Sequence, residues 1–205
     1  MKNASKLIFL SAVCFLCACS PMSRDLSGQG DASAQSRTVT VGDQQIVIPT
    51  PENFVFDRDL ASGMRVPANA RLLGVYSRKQ KPVSAVVFFV VKPFDTMNVP
   101  LEHFKDTATA SGQHLDKVFR NLTQAGTFLK TVRDKEDEIT ELYDQRGTMA
   151  ALSMLNVRGK VLCVIYAVIK DPQRPQESDI AFVSELSEQV NTSIRLANGV
   201  QPQQP

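Results

Sequence analysis

Cysteines have the greatest potential for chemistry in this sequence, and three of the four lie near the N-terminus. Cys14, Cys17 and Cys19 follow a C-x-x-C-x-C spacing, which could supply thiolate ligands to a metal ion. Such a site needs a folded shell that orients its ligands. These cysteines instead lie in or beside the apolar run "LIFLSAVCFL", so the sequence favours processing of the chain over a metal cluster.

The N-terminus has the three-part layout of a secretory signal. Lys2 and Lys6 precede the apolar run, and small residues follow it, as in a signal that is cut after translocation. The apolar stretch over residues 7–19 is shorter than the roughly 20 residues that cross a bilayer. We therefore expect it to act as a signal and not as a stable membrane span.

Residues 16–19, "LCAC", resemble the lipobox of bacterial lipoproteins, in which Leu lies three before, and a small residue one before, a required Cys. The resemblance implies diacylglyceryl transfer to the Cys19 thiol, cleavage before it, and acylation of the new amino group. Residues 1–18 would then be the lipoprotein signal peptide. An ordinary cleaved signal is the alternative.

Lipidation of Cys19 would place the protein in the bacterial cell envelope. Two or more acyl chains anchor a protein durably, at about 0.8 kcal/mol per buried methylene. Ser20 follows Cys19, where enterobacterial lipoproteins retained at the inner membrane carry Asp. The resemblance therefore implies an outer-membrane lipoprotein that faces the periplasm, if the host is Gram-negative.

The charge of the processed chain argues against a nucleic-acid partner. Loss of Lys2 and Lys6 reduces the 23 basic residues to 21, which equals the 21 acidic ones. Nucleic-acid binding needs a clustered excess of Lys and Arg. We expect a membrane contact through the lipid on Cys19 and a protein partner, without nucleic acid.

Composition divides the remaining chain into a tether, one domain and a tail. Residues 19–37 begin with Cys19 and continue as "SPMSRDLSGQGDASAQSR", which has too few large apolar residues to fold. As a flexible coil this tether would span about 20–25 Å. Residues 38–198 are expected to form a single globular domain, and residues 199–205 a disordered tail.

Strand patterns dominate the domain. "TVTV" and "QQIVI" predict a hairpin that turns at Gly42 and Asp43. The segments 71–77 and 83–91 predict two more strands, and the second is apolar at nearly every position, so both of its faces must be covered. An antiparallel meander is predicted from four later segments, "TFLKTV", "EITELYD", "TMAALSMLNV" and "KVLCVIYAVI".

Two helices complete the prediction. The first follows Pro100 and carries an apolar stripe formed by Phe104, Ala108, Ser111, Leu115, Val118, Leu122 and Ala125. The second begins near Ser178 or Asp179 and ends at Asn198-Gly199. The fold class is therefore α+β, a mainly antiparallel sheet with helices packed on it as an α/β/α sandwich.

The segment "IPTPENF" (48–54), ahead of a meander and a closing helix, resembles domains of the PsbP and Mog1 type. In those domains a Pro-aromatic segment enters a similar sheet. The matching stretch assigns no site residue and no activity to this chain.

Other reactive residues are interpreted as structural. Cys163 lies in an apolar strand and is expected to be a buried hydrophobe. On one helix, His103 and His114 would lie about 16 Å apart, too far to share a metal. The acidic run 134–141, "DKEDEITE", lacks the spacing of a calcium loop and is expected to be a solvated connection between strands.

The sequence contains no phosphate loop, H-E-x-x-H or G-x-S-x-G motif. We therefore expect neither an enzyme nor a cofactor, but a non-catalytic envelope lipoprotein that binds a protein or an envelope component. The first alternative is a carrier or sensor of an apolar small molecule, with "VVFFVV" and "VLCVIYAVI" lining a cavity. An envelope enzyme with an unfamiliar site is the last alternative.

Mass spectrometry of the protein from native cells tests the lipidation of Cys19. We expect a chain that begins at residue 19 and carries acyl groups, and a Cys19→Ser variant that leaves the membrane fraction. Cys14→Ser is the matched control, because it changes a thiol within the discarded signal and should leave the anchor intact. An unacylated Cys19 with residues 1–18 still attached would contradict the prediction.

Overall fold

The computed structural model describes residues 35–64, 66, 68–92, 94–108 and 126–200. Within them the strands are β1 (Ser36–Val41), β2 (Gln44–Pro49), β3 (Val55–Phe56), β4 (Ala70–Arg78), β5 (Ser84–Val91), β6 (Gly126–Lys135), β7 (Glu138–Gln145), β8 (Thr148–Val157) and β9 (Lys160–Ile169). The helices are α1 (Arg58–Gly63), α2 (101–108) and α3 (Gln176–Ala197).

The predicted N-terminal hairpin is confirmed. β1 and β2 pair antiparallel and form a separate two-stranded sheet. Gly42 occupies the turn with φ +58°, a conformation that favours glycine because it has no Cβ. The turn is held to the rest of the domain by the Nζ of buried Lys160, which donates to Asp43 Oδ1 at 2.8 Å and to the carbonyl of Met97 at 3.2 Å.

The other seven strands form one sheet in the order β3-β4-β5-β9-β8-β7-β6. Every pairing in it is antiparallel, so the predicted meander over β6–β9 is confirmed. All eight residues of β5 are buried, and each fully buried Val or Phe side chain contributes roughly 1.5–3 kcal/mol. A strand buried along its whole length needs cover on both faces of its sheet.

Both faces of the sheet are covered, which confirms the α/β/α arrangement. α3 lies on one face, where Tyr166 of β9 donates a hydrogen bond to Asn191 of the helix. The opposite face carries α1 and the segment before α2: Ser77 of β4 bonds Asp57, the N-cap of α1, at 2.7 Å. Asn156 of β8 donates to the carbonyl of Val99 at 2.8 Å.

The helix predictions are confirmed where residues are described. α3 begins at Gln176, two residues before the predicted Ser178, and ends at Ala197, with Asn198 as its C-cap. Phe104 and Ala108 are buried in α2; the rest of the predicted stripe, from Ser111 to Ala125, lies outside the described residues. β3 and α1 were not predicted from the sequence.

Substitution of Gly42 by Ala should lower the free energy of unfolding by about 2–4 kcal/mol. A non-glycine residue in the left-handed backbone conformation costs roughly 1–2 kcal/mol, and the close contacts of the added Cβ increase this cost. The new Cβ would lie 2.6 Å from the carbonyl oxygen of Asp95 and 2.7 Å from Nζ of Lys160. Gly147→Ala is the control: its φ is +78° but nothing lies within 4 Å of the added Cβ. Urea unfolding that finds equal losses in both variants would contradict the steric explanation.

Candidate functional site

Two acidic residues of the run 134–141 are buried, so the prediction of a solvated connection is wrong for them. The side chain of Glu138 is 1% exposed and that of Asp137 10%. The exposed residues of this run are Asp134, Lys135 and Glu136. Burial of a carboxylate is tolerated only when opposite charge and hydrogen bonds replace its water, and both are supplied here from α3 and β6.

Two arginines neutralise these carboxylates. Arg195 of α3 bridges them, with Nη2 2.6 Å from Glu138 Oε2 and Nε bonded to Asp137 Oδ2. Arg133 of β6 bonds Glu138 through Nε and Ser187 of α3 through Nη2. The cluster carries two positive and two negative charges and is therefore formally neutral.

Neutral polar groups complete the cluster. Glu138 Oε1 also accepts from Thr140 at 2.7 Å and from Asn191 at 2.8 Å. Asn191 in turn donates to Ser153 at 3.1 Å and accepts from Tyr166. We call the nine residues the buried ion network: Arg133, Asp137, Glu138, Thr140, Ser153, Tyr166, Ser187, Asn191 and Arg195.

Within the buried ion network, the pKa of Glu138 is lowered and the pKa of Tyr166 is raised. Burial alone would raise the pKa of Glu138, but hydrogen bonds from Arg195, Thr140 and Arg133 outweigh it and hold that pKa below its usual value. Burial raises the pKa of Tyr166 far above its usual value. Glu138 is thus charged and Tyr166 neutral at physiological pH.

A groove lies on the outer side of α3, away from the buried ion network. Its volume is about 1080 Å³, and it runs between the helix and the segment that joins β2 to β3. One wall is formed by residues 49–55 with Gln35, and the other by Glu185, Leu186, Glu188, Gln189, Val190, Thr192 and Ser193. The Pro-aromatic segment singled out in the sequence is therefore one wall of this groove.

The two walls are held together by Asn198, at the C-terminal end of α3. Its side chain accepts a hydrogen bond from the N–H of Val47 at 2.9 Å and donates one to the carbonyl of Val47 at 2.8 Å. A neighbouring β-strand would form the same pair of hydrogen bonds with the backbone of Val47. Arg158 reinforces the junction through the carbonyls of Asn198 at 2.8 Å and Gln45 at 3.3 Å. The position of β2 relative to α3, and with it the groove, is fixed by these bonds.

The wall at residues 49–55 has its own local constraint. The N–H of Phe54 bonds the carbonyl of Pro51 at 3.0 Å, and Asn53 within this turn has φ 64°. Asn adopts this conformation more readily than most residues. Phe54 is buried by the turn while Val55 stays 50% exposed.

Cys163 and His103, two other residues considered from the sequence, do not line the groove. Cys163 is buried, as predicted, and burial raises the pKa of its thiol to about 12. His103 is exposed on α2, whereas His114 and Cys19 lie outside the described residues. Among the residues described, no His, Cys, Asp and Glu cluster could hold a metal ion, and no helix is long and apolar enough to cross a membrane.

The sequence matches no protein-family model and no curated protein. Among solved structures, the fold is similar to the Ran-binding protein Mog1p of Saccharomyces cerevisiae, with a TM-score of 0.43 and 10% identity over 80% of this chain and 95% of that one. A mutant of protein Mog1 matches with a TM-score of 0.45, also at 10% identity, 80% and 95% coverage. Mog1 is one of the two domain types that "IPTPENF" resembles, but matches this weak assign no role to any residue here.

Removal of Arg195 should destabilise the domain strongly, because the carboxylates of Asp137 and Glu138 would stay buried without the positive charge that balances them. We expect Arg195→Met to lower the free energy of unfolding by about 3–5 kcal/mol. Lys105→Met is the control, since its ion pair with Asp134 is 46% and 64% exposed and should be worth less than about 1 kcal/mol. Similar losses in the two variants, measured by denaturant unfolding, would contradict the assigned importance of the network.

Glu138 should also make stability depend on pH. Its folded-state pKa is lowered, so its contribution is full above the unfolded value of about 4.3 and is lost as the pH falls through the folded value. Glu138→Gln should therefore flatten the dependence of unfolding free energy on pH between about 5 and 3. Glu102→Gln, at an exposed position of α2, should keep the wild-type slope; an unchanged slope in Glu138→Gln would refute the assignment.

Proposed function

We propose that this chain is a lipid-anchored protein of the bacterial envelope whose folded domain is a non-catalytic module that binds a protein partner. The lipobox-like residues 16–19 support the anchor, and the neutral charge of the processed chain disfavours nucleic acid. The proposed binding role rests on one observation, the groove between residues 49–55 and α3.

The groove has the properties of a recognition site. Binding sites are concave and largely formed before the ligand arrives, and both walls here are held by Asn198 and by the turn at Asn53. Its lining combines apolar side chains with carboxylates and amides, a mixture found at surfaces that bind proteins.

A carrier of apolar small molecules finds less support. The strands that were candidates to line its cavity, β5 and β9, contribute to the packed core, with Phe88, Phe89 and Cys163 at most 2% exposed. None of the groove-lining residues belongs to either strand. The binding module is therefore the function that we propose.

Site-specific photocrosslinking in living cells tests this function. A benzoylphenylalanine at Val55, which is half-exposed and lines the groove, should give a discrete adduct in the membrane fraction. The control is the same residue at Leu196, which is 60% exposed on α3 and is not part of the lining. Identical adducts at both positions, or none at Val55, would count against the groove as the binding site.

A further inference from the structure

We propose that the groove receives an extended peptide segment of the partner that carries several Lys or Arg residues interspersed with apolar ones. This inference rests on the proposed function and specifies the chemistry of the partner at the same site. It follows from three properties of the lining: its charge, the placement of its charged groups on both walls, and its apolar positions.

The charge of the groove has a single sign. Three exposed glutamates line it, Glu52 on one wall and Glu185 and Glu188 on the other, and none of the described lining residues is Lys, Arg or His. None of the three forms a salt bridge with a cation among the described residues. Glu185 accepts a hydrogen bond from the neutral amide of Gln189 at 3.3 Å, which leaves its charge in place. Carboxylates without a cationic partner on both walls of a concave surface create a negative potential that attracts cations.

The arrangement of the glutamates favours a chain with several charges over one ion. Among the described residues no group of acidic side chains could hold a metal ion. Glu185 and Glu188 lie three positions apart on α3 and Glu52 lies on the opposite wall, so carboxylates line the groove on both sides. A volume of about 1080 Å³ is also slightly above the range for small-molecule sites, roughly 300–1,000 Å³. An extended peptide can place successive cationic side chains against successive carboxylates.

The apolar positions give the groove a second element of selectivity. Val55 is 50% exposed and lies at the end of the wall that also contains Pro49 and Pro51. An apolar side chain of the peptide would lose its contact with water there. The same negative charge would repel anionic lipid headgroups, because like charges repel at a membrane surface. The groove is therefore suited to a cationic protein segment and not to the bilayer itself.

Peptide binding to the full lipidated protein tests the inference. With the protein in nanodiscs of zwitterionic lipid, and empty nanodiscs as the blank, we would measure fluorescence anisotropy of labelled GKVGKVGKVG, GEVGEVGEVG and GKSGKSGKSG. The lysine–valine peptide should bind, the glutamate peptide should not, and the lysine–serine peptide should bind more weakly. An increase in salt from 50 to 300 mM should weaken binding, because exposed ion pairs are screened.

Variants identify the groove as the binding surface. Glu52→Gln, Glu185→Gln and Glu188→Gln combined should weaken binding of the lysine–valine peptide about tenfold. The matched control changes three exposed acids elsewhere by the same total charge, Glu102→Gln, Asp106→Asn and Glu177→Gln, and should change affinity less than about twofold. Equal losses in both triple variants would overturn the inference, as would equal binding of the lysine and glutamate peptides or no binding of the lysine peptide.

Failure of this inference can be separated from failure of the proposed function. The segment crosslinked to position 55 in cells can be sequenced by mass spectrometry. A crosslinked segment with net positive charge supports the inference. A neutral or acidic segment overturns the inference while leaving the binding module intact, and the absence of any adduct overturns both.

Discussion

The ion pair between Glu138 and Arg195 is the interaction on which the arrangement of the domain depends. It joins the start of β7 to the last turn of α3 and lies where almost no water reaches either group. Removing both charges from water costs several kcal/mol per ion, and that cost is offset only in the geometry that also engages Asp137 and Arg133. A helix shifted by one turn would leave buried charges unpaired, so the network fixes the register of α3 on the sheet.

α3 contributes residues both to the buried ion network and to the groove at the surface. Ser187, Asn191 and Arg195 of α3 face the network, while Glu185 and Glu188 belong to the groove. Asn198 then ties β2 to the end of the same helix. One rigid element therefore sets both the polar interior and the outer wall of the groove, so the proposed binding surface is formed before a partner arrives, which limits the entropy lost on binding.

Much of the fold follows from local sequence, whereas the network and the groove depend on distant contacts. β5 and β9 could be predicted because a long apolar run in a folded domain has to be buried away from water. The burial of Glu138 could not, because its neighbours form a charged run typical of a solvated turn, and its partner Arg195 is 57 residues away. The short elements β3 and α1 were missed because two and six residues carry little periodicity; only Asp57, a good N-cap, marked the helix.

The position of the groove also relates to the proposed anchor. Gln35 lines the groove, and Cys19 lies 16 positions before it in the sequence. The tether predicted from the sequence would span about 20–24 Å between them. A lipid on Cys19 would thus keep the groove near the membrane surface, within reach of segments that protrude from other proteins in the same membrane. A chain cleaved before Cys19 would carry no net charge, so it would approach the membrane without attraction to anionic lipids.

Hydrogen–deuterium exchange of the lipidated protein, compared between native membranes and purified protein in nanodiscs, tests most directly whether the groove is a binding site. The account predicts slower exchange in native membranes at residues 49–55 and 185–193, with the amides of β8 and β9 equally protected in both samples. Equal exchange at the two groove walls, or added protection confined to the exposed edge strand β6, would contradict it.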